Sequence, residues 1–339
     1  VDVSIRIVYP LASRSGSGRI VLRTEADWNA DVEAVKVDAA RTTFDFVVRT
    51  DAPFFDFKPC IAGDDGFRWS VGLNYLAVSD AADGREVYPH FFDEEGGSIT
   101  PAFDVPAGDG QPARTVRVYV PPGYEENTLK RYPVLYMHDG ANLFFPDEAF
   151  AGTAWDIEQT MDMLDAMSVT DKVIVVGLYA QDRMNEYVKP GYEEYGKILV
   201  NAVKPAIDRD FRTLTGAPDT AVMGSSLGGV VSLFLAWQWP NVFGKAACLS
   251  STFGYQDDLR ERVRGEARKP IRVYLDSGCP GDNYETTRDM RDELLLRGYT
   301  FGRDLLYFAF PGAEHDEASW AARCHLPFQF FFGKSVAAK

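Results

Sequence analysis

Ser226 is the residue in this chain whose setting most resembles that of a working nucleophile. It lies within Gly224-Ser225-Ser226-Leu227-Gly228, after the apolar run Ala221-Val222-Met223 and before the helix-like stretch Gly229 to Trp237. A serine presented on a sharp strand-to-helix turn needs residues without side chains two before and two after it, because the turn brings those positions against neighbouring backbone. Gly224 and Gly228 meet that demand around Ser226, whereas Ser225 has Met223 and Leu227 at the same offsets. In a chain with 29 glycines the pentapeptide alone is a common accident. Its weight comes from strand, turn and helix following in the required order.

A serine hydroxyl is a weak nucleophile near neutral pH, so Ser226 needs a base within hydrogen-bond reach and a carboxylate to orient that base. The chain offers four histidines. In the α/β-hydrolases, whose elbow Gly224 to Gly228 resembles, the order is serine, then acid, then histidine on a loop after the last strand. His315, in Pro311-Gly312-Ala313-Glu314-His315-Asp316 after the apolar run Leu305 to Phe310, meets this order; the bland alternative is a loop histidine capping the final helix. His325 falls within the following helix, His90 in the β-rich part, and His138 precedes the serine. The carboxylate is expected after the run Ile271 to Leu275, where Asp276 and Asp282 both stand. Position alone leaves that choice open.

A tetrahedral intermediate needs preorganised donors for its oxyanion. The N–H of Leu227 supplies one by position, and Gly140 or Ala141, in the loop His138-Asp139-Gly140-Ala141-Asn142-Leu143-Phe144, the second. His138 and Asp139 are expected to orient this loop. No Cys/His spacing suits zinc, and no cofactor or metal is expected. Of the four cysteines, Cys248 lies in an apolar run and reads as core, while a bridge between Cys279 and Cys324 is possible.

The elements that must hold these residues fall into two regions. Over the first hundred residues short β-rich runs, Ser4 to Tyr9, Arg19 to Thr24, Thr43 to Arg49 and Phe67 to Val78, alternate with Gly, Asp, Asn and Pro clusters. This pattern predicts a small β-sandwich over residues 1–105. Residues 106–112, Pro-Ala-Gly-Asp-Gly-Gln-Pro, read as a linker. Residues 113–339 then alternate. Strands are predicted at 114–120, 134–137, 173–178, from 221, at 245–249, 271–275 and 305–310. Helices are predicted at 155–164, 195–211 with an interruption near Pro205, after Ser226, at 257–268, 284–297 and from about 316. Alternation of this kind argues for an α/β fold with a doubly wound, mostly parallel sheet.

Taken together, these motifs resemble the esterase D and enterochelin-esterase-like branch of the α/β-hydrolases, with its feruloyl and acetylxylan esterases, over roughly residues 112–333. Tyr136 to Phe144 is similar to that branch's H-D-G-Q-N-L-F loop, with Ala141 where glutamine is usual. Arg183, Glu186 and Tyr187 match R-x-x-E-Y, Gly224 to Gly229 matches G-S-S-L-G-G, and Gly312 to Trp320 resembles G-A-x-H-D-x-x-x-W. The resemblance implies a serine esterase with triad Ser226, Asp282 and His315. It thus selects Asp282 over Asp276, and it implies substrate contacts at Asn142, Arg183 and Tyr187. The alternative for Arg183 is an ion pair with Glu186. The resemblance also implies an N-terminal sandwich in some cases like starch-binding modules, with which Phe57-Lys58-Pro59 and Trp69 are compatible.

Net charge is -15. It disfavours nucleic acid and anionic membranes as partners and mildly disfavours an anionic ferric siderophore. The expected partner is a small-molecule or glycan ester. An acyltransferase or a noncatalytic carbohydrate-binding relative on the same fold is the alternative. No apolar stretch reaches the roughly 20 residues of a membrane span. The expected location is cytoplasmic, or periplasmic or secreted if a leader preceded Val1.

Overall fold

The computed structural model describes residues 1–14, 18–64, 66–79, 85–93, 96–108 and 110–334. Asp109 of the expected linker lies outside them. The N-terminal region forms two sheets. One joins β1 (Asp2–Val8), β4 (Lys36–Val37), β5 (Thr43–Arg49) and β9 (Arg85–Val87); the other joins β2 (Arg19–Thr24), β3 (Asp27–Glu33), β6 (Phe54–Gly63), β7 (Gly66–Trp69) and β8 (Tyr75–Val78). Their inner faces share a core of Ile5, Ile7, Ile20, Leu22, Phe44, Phe46, Phe55 and Phe57, as alternation at a period of two requires. The longest of these strands, β6, is absent from the sequence reading because Pro59 interrupts its pattern. In the fold Pro59 falls between the stretches of β6 that pair with β8 (Phe54–Phe57) and with β7 (Cys60–Gly63), where a missing donor is cheap. The run Phe67 to Val78 is two strands rather than one.

The large sheet contains β10 (Ser98–Ile99), β11 (Phe103–Val105), β12 (Arg114–Val120), β13 (Val134–His138), β14 (Ile174–Leu178), β15 (Thr220–Ser225), β16 (Lys245–Leu249), β17 (Arg272–Cys279) and β18 (Leu305–Pro311). Residues 98–105 therefore leave the sandwich predicted for 1–105: β10 and β11 both pair antiparallel with β12. The path runs β10-β12-β14-β13-β15-β16-β17-β18, with every pair from β14 to β18 parallel. Both faces are covered by helix. One core cluster joins the sheet to helices Gly191–Ile198, Lys204–Asp210, Leu227–Gln238, Leu259–Gly265 and Tyr284–Leu296; the other joins it to Ile157–Ala166, Glu317–Arg323 and His325–Phe332. That burial on both sides explains why β13 to β16 read as unbroken apolar runs rather than as alternation.

The interruption near Pro205 is a π-segment, Leu199–Val203, that carries the helix from Gly191 to Asp210 without a break. Proline cannot donate, and the wider turn before it absorbs the mismatch. The sandwich is fastened to the sheet region through the buried Glu126. Its carboxylate accepts from the Tyr9 hydroxyl at 2.8 Å and from the N–H groups of Phe91, Phe92 and Asp93 at 2.7 to 2.8 Å. No helix among the described residues is long and apolar enough to cross a membrane.

Candidate active site

Strand order reverses at β13: the chain passes from β13 to β14 on one side, then returns to place β15 on the other. At such a switch point the loops leaving the carboxyl ends of the two strands diverge and open a crevice. The loops here are His138 to Phe144 after β13 and Ser226 after β15. Ser226 has φ 56° and ψ −122°, a backbone that a non-glycine residue adopts only under constraint. Four backbone bonds hold it: its N–H donates to Leu249 O at 2.9 Å, and its carbonyl accepts from Gly229 N at 3.2 Å, Val230 N at 3.3 Å and Thr252 N at 3.4 Å. The two motif glycines are not equivalent. A Cβ on Gly224 would stand 2.6 Å from the carbonyl carbon of Gly228, whereas one on Gly228 would meet nothing closer than Asp139 Oδ2 and His138 Cβ at 3.4 Å.

His315 is partly exposed, and its Nδ1 lies 2.6 Å from Asp282 Oδ1. An Nδ1–H donated to the carboxylate leaves Nε2 as the free acceptor. The other Asp282 oxygen accepts from Ser250 Oγ at 2.5 Å, Gly278 N at 2.7 Å and Arg323 Nη2 at 3.4 Å. Burial alone would raise this carboxyl, but the bonds from His315, Ser250 and Gly278 outweigh it and hold it below the ordinary carboxylate value. Asp276 is wholly buried and committed elsewhere, to Tyr274 OH at 2.8 Å and Arg323 Nε at 3.0 Å, and burial pushes it up to about 6. The cap of the following helix is Asp316, which accepts from Ser319 N at 2.8 Å, not His315.

The loop after β13 is a 3-10 turn, Gly140–Asn142, entered through Asp139 at φ 58°. Gly140 packs so close to β14 that a Cβ there would lie 2.8 Å from the Gly177 carbonyl carbon. As first residues of their turns, Gly140, Ala141 and Leu227 have N–H groups that no carbonyl of the same turn can reach. The site therefore holds donors without intrinsic partners on both sides of the serine.

Each side chain named around this loop has a defined partner in the fold. Tyr187 is fully buried and accepts the Asp139 N–H at 3.2 Å. It supports the loop from beneath and presents no surface to a substrate. Arg183 does not pair with Glu186; it clamps Asp139 bidentately at 2.8 and 3.0 Å, while Glu186 forms a buried ion pair with Arg114. Asn142 links two walls of the crevice, donating to Glu317 Oε1 at 3.2 Å and accepting from Phe150 N at 2.9 Å. His138 is buried, with Nδ1 3.0 Å from Tyr195 OH, and burial together with the Arg183 charge lowers it to about 3. It is a neutral packing group under the loop. Cys279 and Cys324 are free. Cys324 faces the apolar cluster under the sheet and donates to Ala321 O, whereas Cys279 ends β17 partly exposed.

The sequence reading missed Ser250 and Arg323 and gave Trp320 no role. Ser250 follows β16 directly, at the sheet end where α/β folds place their sites, and Trp320 and Arg323 share one face of the helix after His315 at an i,i+3 spacing. Those positions were the available signals. In the sandwich, Phe57 is buried and stacks on Tyr75, so it belongs to the core; Trp69 is outward beside Phe67 and Trp28. Among the described residues no group of three or more His, Cys, Asp or Glu is arranged to hold a metal ion.

A serine held at a strained elbow, at the switch point of a largely parallel sheet and beside a turn whose first two amides meet no carbonyl of that turn, is the kind of arrangement on which hydrolytic α/β enzymes are built. Residues 111–322 match the family described as "Putative esterase", and the chain belongs to it. The resemblance drawn from the motifs is thus borne out. A Bacillus subtilis (strain 168) protein described as uncharacterized protein YbbA is 22% identical over 248 residues, 66% of this chain and 94% of its own. The endo-1,4-beta-xylanase/feruloyl esterase of Xylanibacter ruminicola is 26% identical over 204 residues, 57% of this chain but only 26% of that enzyme. Among solved structures, a ferulic acid esterase superposes with TM-score 0.58 at 17% identity, covering 70% of this chain and 98% of its own. The Shigella flexneri enterobactin esterase, solved in the presence of enterobactin, gives TM-score 0.57 at 13% identity and covers 97% of this chain and 92% of its own. These likenesses establish a shared fold, and with the family they support ester hydrolysis.

Proposed function

We propose that the chain is a serine carboxylic-ester hydrolase of the α/β-hydrolase type, working through an acyl-enzyme. Ser226 Oγ attacks the ester carbonyl as His315 Nε2 takes its proton. Asp282 holds the imidazole in the tautomer this requires. The N–H groups of Leu227 and of Gly140 or Ala141 bind the oxyanion, and His315 returns the proton to the departing alcohol. Water then attacks the acyl-enzyme by the same route in reverse roles. The reading is carried by the 2.6 Å contact between His315 Nδ1 and Asp282 Oδ1, made by loops that leave the same end of the sheet as Ser226. The domain division that goes with it is a sandwich ending before β10 and an esterase domain from β10 onward.

For substrate, the rim favours an apolar or aromatic acyl group. Phe150, Met184 and Tyr255 are 74%, 55% and 47% exposed. Each is tied to the site by a neighbour: Phe150 N bonds Asn142, Met184 follows Arg183, and Tyr255 N bonds the carbonyl of Thr252, whose own N–H reaches Ser226 O. The names of the feruloyl and enterobactin esterases point the same way, and the acidic chain favours the neutral feruloyl-sugar type over an anionic ferric siderophore. Labelling with a fluorophosphonate followed by mass spectrometry tests the nucleophile: the adduct is expected on Ser226 and lost in Ser226→Ala. An adduct on Ser225, or full turnover by Ser226→Ala, would overturn the mechanism. A panel of acetyl, feruloyl-sugar and catechol-siderophore esters, with and without added alcohol acceptor, tests the substrate and separates hydrolysis from transfer.

A further inference from the structure

We propose that Ser250 is a positioning residue of the triad, fixing Asp282 through a hydroxyl whose direction is set by Trp320 and Arg323, with Asp276 balancing the buried charge of Arg323. This rests on the assignment of Ser226, Asp282 and His315 given above.

The direction follows by elimination. Ser250 is wholly buried at φ 45°, with its N–H on Asp276 O at 2.7 Å and its carbonyl accepting from Asn283 Nδ2 at 2.8 Å. Its Oγ lies 2.9 Å from Trp320 Nε1, 2.6 Å from Arg323 Nη2 and 2.5 Å from Asp282 Oδ2. Indole and guanidinium can only donate, so both hydroxyl lone pairs are engaged and the single hydroxyl proton goes to Asp282. Oδ2 is thereby saturated and Oδ1 is left for His315. Trp320 also sets its ring edge-on to the imidazole, at 4.9 Å and 84° between planes, so one side chain orients both the histidine and the serine behind its partner.

Without the Asp276 charge the buried Arg323 cation would keep only Asp282, at 3.4 Å, as an ion-pair partner. Burial raises the Asp276 carboxyl against the pull of Arg323 and Tyr274, and its 3.0 Å contact with the Arg323 guanidinium is that of an ion pair. The charged and titratable groups around the imidazole are few. Asp282 bonds it directly, and Asp276, Tyr274 and Arg323 lie behind Asp282; Glu314, Asp316 and Glu317 share its segment, and Asp139 with Arg183 faces Glu317 from the oxyanion loop. Of these, the Asp276-Arg323 pair and the Ser250 hydroxyl are joined to the histidine by hydrogen bonds through Asp282.

The two arms of the network therefore push the histidine in opposite directions. Removing the Ser250 hydroxyl leaves Asp282 less satisfied and a stronger partner for imidazolium, so the acid limb of kcat/KM moves to higher pH. Removing the Asp276 charge leaves Arg323 facing Asp282 alone, which weakens its hold on imidazolium and moves that limb to lower pH. The experiment measures kcat, KM and pH profiles on the full chain for Ser250→Ala, Asp276→Asn and Trp320→Phe. Ser250→Ala should lose about 10- to 100-fold in kcat, the range for a lost hydrogen bond to a charged group, with KM little changed. Trp320→Phe keeps a ring against His315 but removes the indole donor, and should shift the limb upward by less. Ser251→Ala is the control: Ser251 is equally buried and its Oγ has no hydrogen-bond partner, so the limb should stay in place.

The expected shift is upward for Ser250→Ala and Trp320→Phe and downward for Asp276→Asn, so any one that folds decides the matter. Limbs that do not move, or that move the same way in Ser250→Ala and Asp276→Asn, would reduce the network to packing. Turnover by Ser226→Ala would instead remove the triad on which the proposal rests, which keeps the two failures apart. If no network variant folds, the polar chain is structural and the proposal falls.

Discussion

Gly224→Ala should disable the elbow, and Gly228→Ala should not. A methyl group on Gly224 would lie 2.6 Å from the Gly228 carbonyl carbon, 2.7 Å from its oxygen and 2.9 Å from its Cα. Carbon contacts are comfortable from about 3.5 Å, so strand and helix must part by about 0.9 Å, and the obstructing atoms are backbone that cannot rotate aside. Overpacking costs about 1 to 3 kcal/mol where side chains can adjust, which makes roughly 3 kcal/mol the expectation here. For a domain of this size that lowers Tm by roughly 6–12 °C. Ser226 moves with the elbow, and a displacement near 1 Å costs turnover about 100-fold. At Gly228 the nearest atoms stand at 3.4 Å, so stability should change by less than about 1 kcal/mol. Differential scanning calorimetry with hydrolysis of p-nitrophenyl acetate measures both effects. Equal losses in the two variants, or an unaltered Gly224→Ala, would refute the reasoning that one glycine is demanded by contact and the other is not.

Asp282→Asn should lower kcat by up to about 10⁴-fold by disturbing the His315 tautomer, while Asp276→Asn stays within about tenfold; the reverse ranking would move the acid. Arg183→Ala should release the Asp139 clamp and lower kcat/KM about tenfold, with Tm falling by less than roughly 4 °C because the pair is partly exposed. Unchanged kinetics on every ester of the panel would leave Arg183 a surface ion pair. His138 is neutral in the fold down to about 3, whereas an unfolded histidine binds a proton below 6.5. Its contribution is therefore whole above about pH 6.5 and lost as pH falls toward 3, at up to about 1.4 kcal/mol per unit. Denaturant melts of wild type and His138→Gln between pH 7 and pH 4 should show a flatter decline in the variant, and parallel declines would contradict the assignment.

Much of the scaffold around Ser226 was legible because its signals are local. Strands 114–120 and 245–249 appear with the bounds read from the sequence, since an apolar run between turn residues needs no distant partner to be recognised. The strand Phe54–Gly63 was illegible because Pro59 is acceptable only where two partner strands leave a gap, which is a fact about pairing. Residues 98–105 were assigned to the sandwich for the same reason: two- and three-residue strands carry no pattern of their own, and β12 alone determines which sheet they join.

At the site, types and order along the chain sufficed to nominate Ser226, His315, two candidate acids and a glycine-bearing loop, because nucleophile, base and oxyanion donors are each limited to a few groups. Sequence could not tell Asp276 from Asp282 by position. The distinction lies in direction: one carboxylate points to Arg323 and Tyr274, the other to His315. Nor could it tell that Tyr187 lies beneath the loop, that Arg183 takes Asp139 rather than Glu186, or that Ser250 stands behind Asp282. The order of residue types along the chain was enough to nominate the groups for the proposed chemistry and the end of the sheet that would carry them. Which polar groups share each proton was decided by tertiary structure alone, because hydrogen bonds depend on ångström distances between residues far apart in sequence.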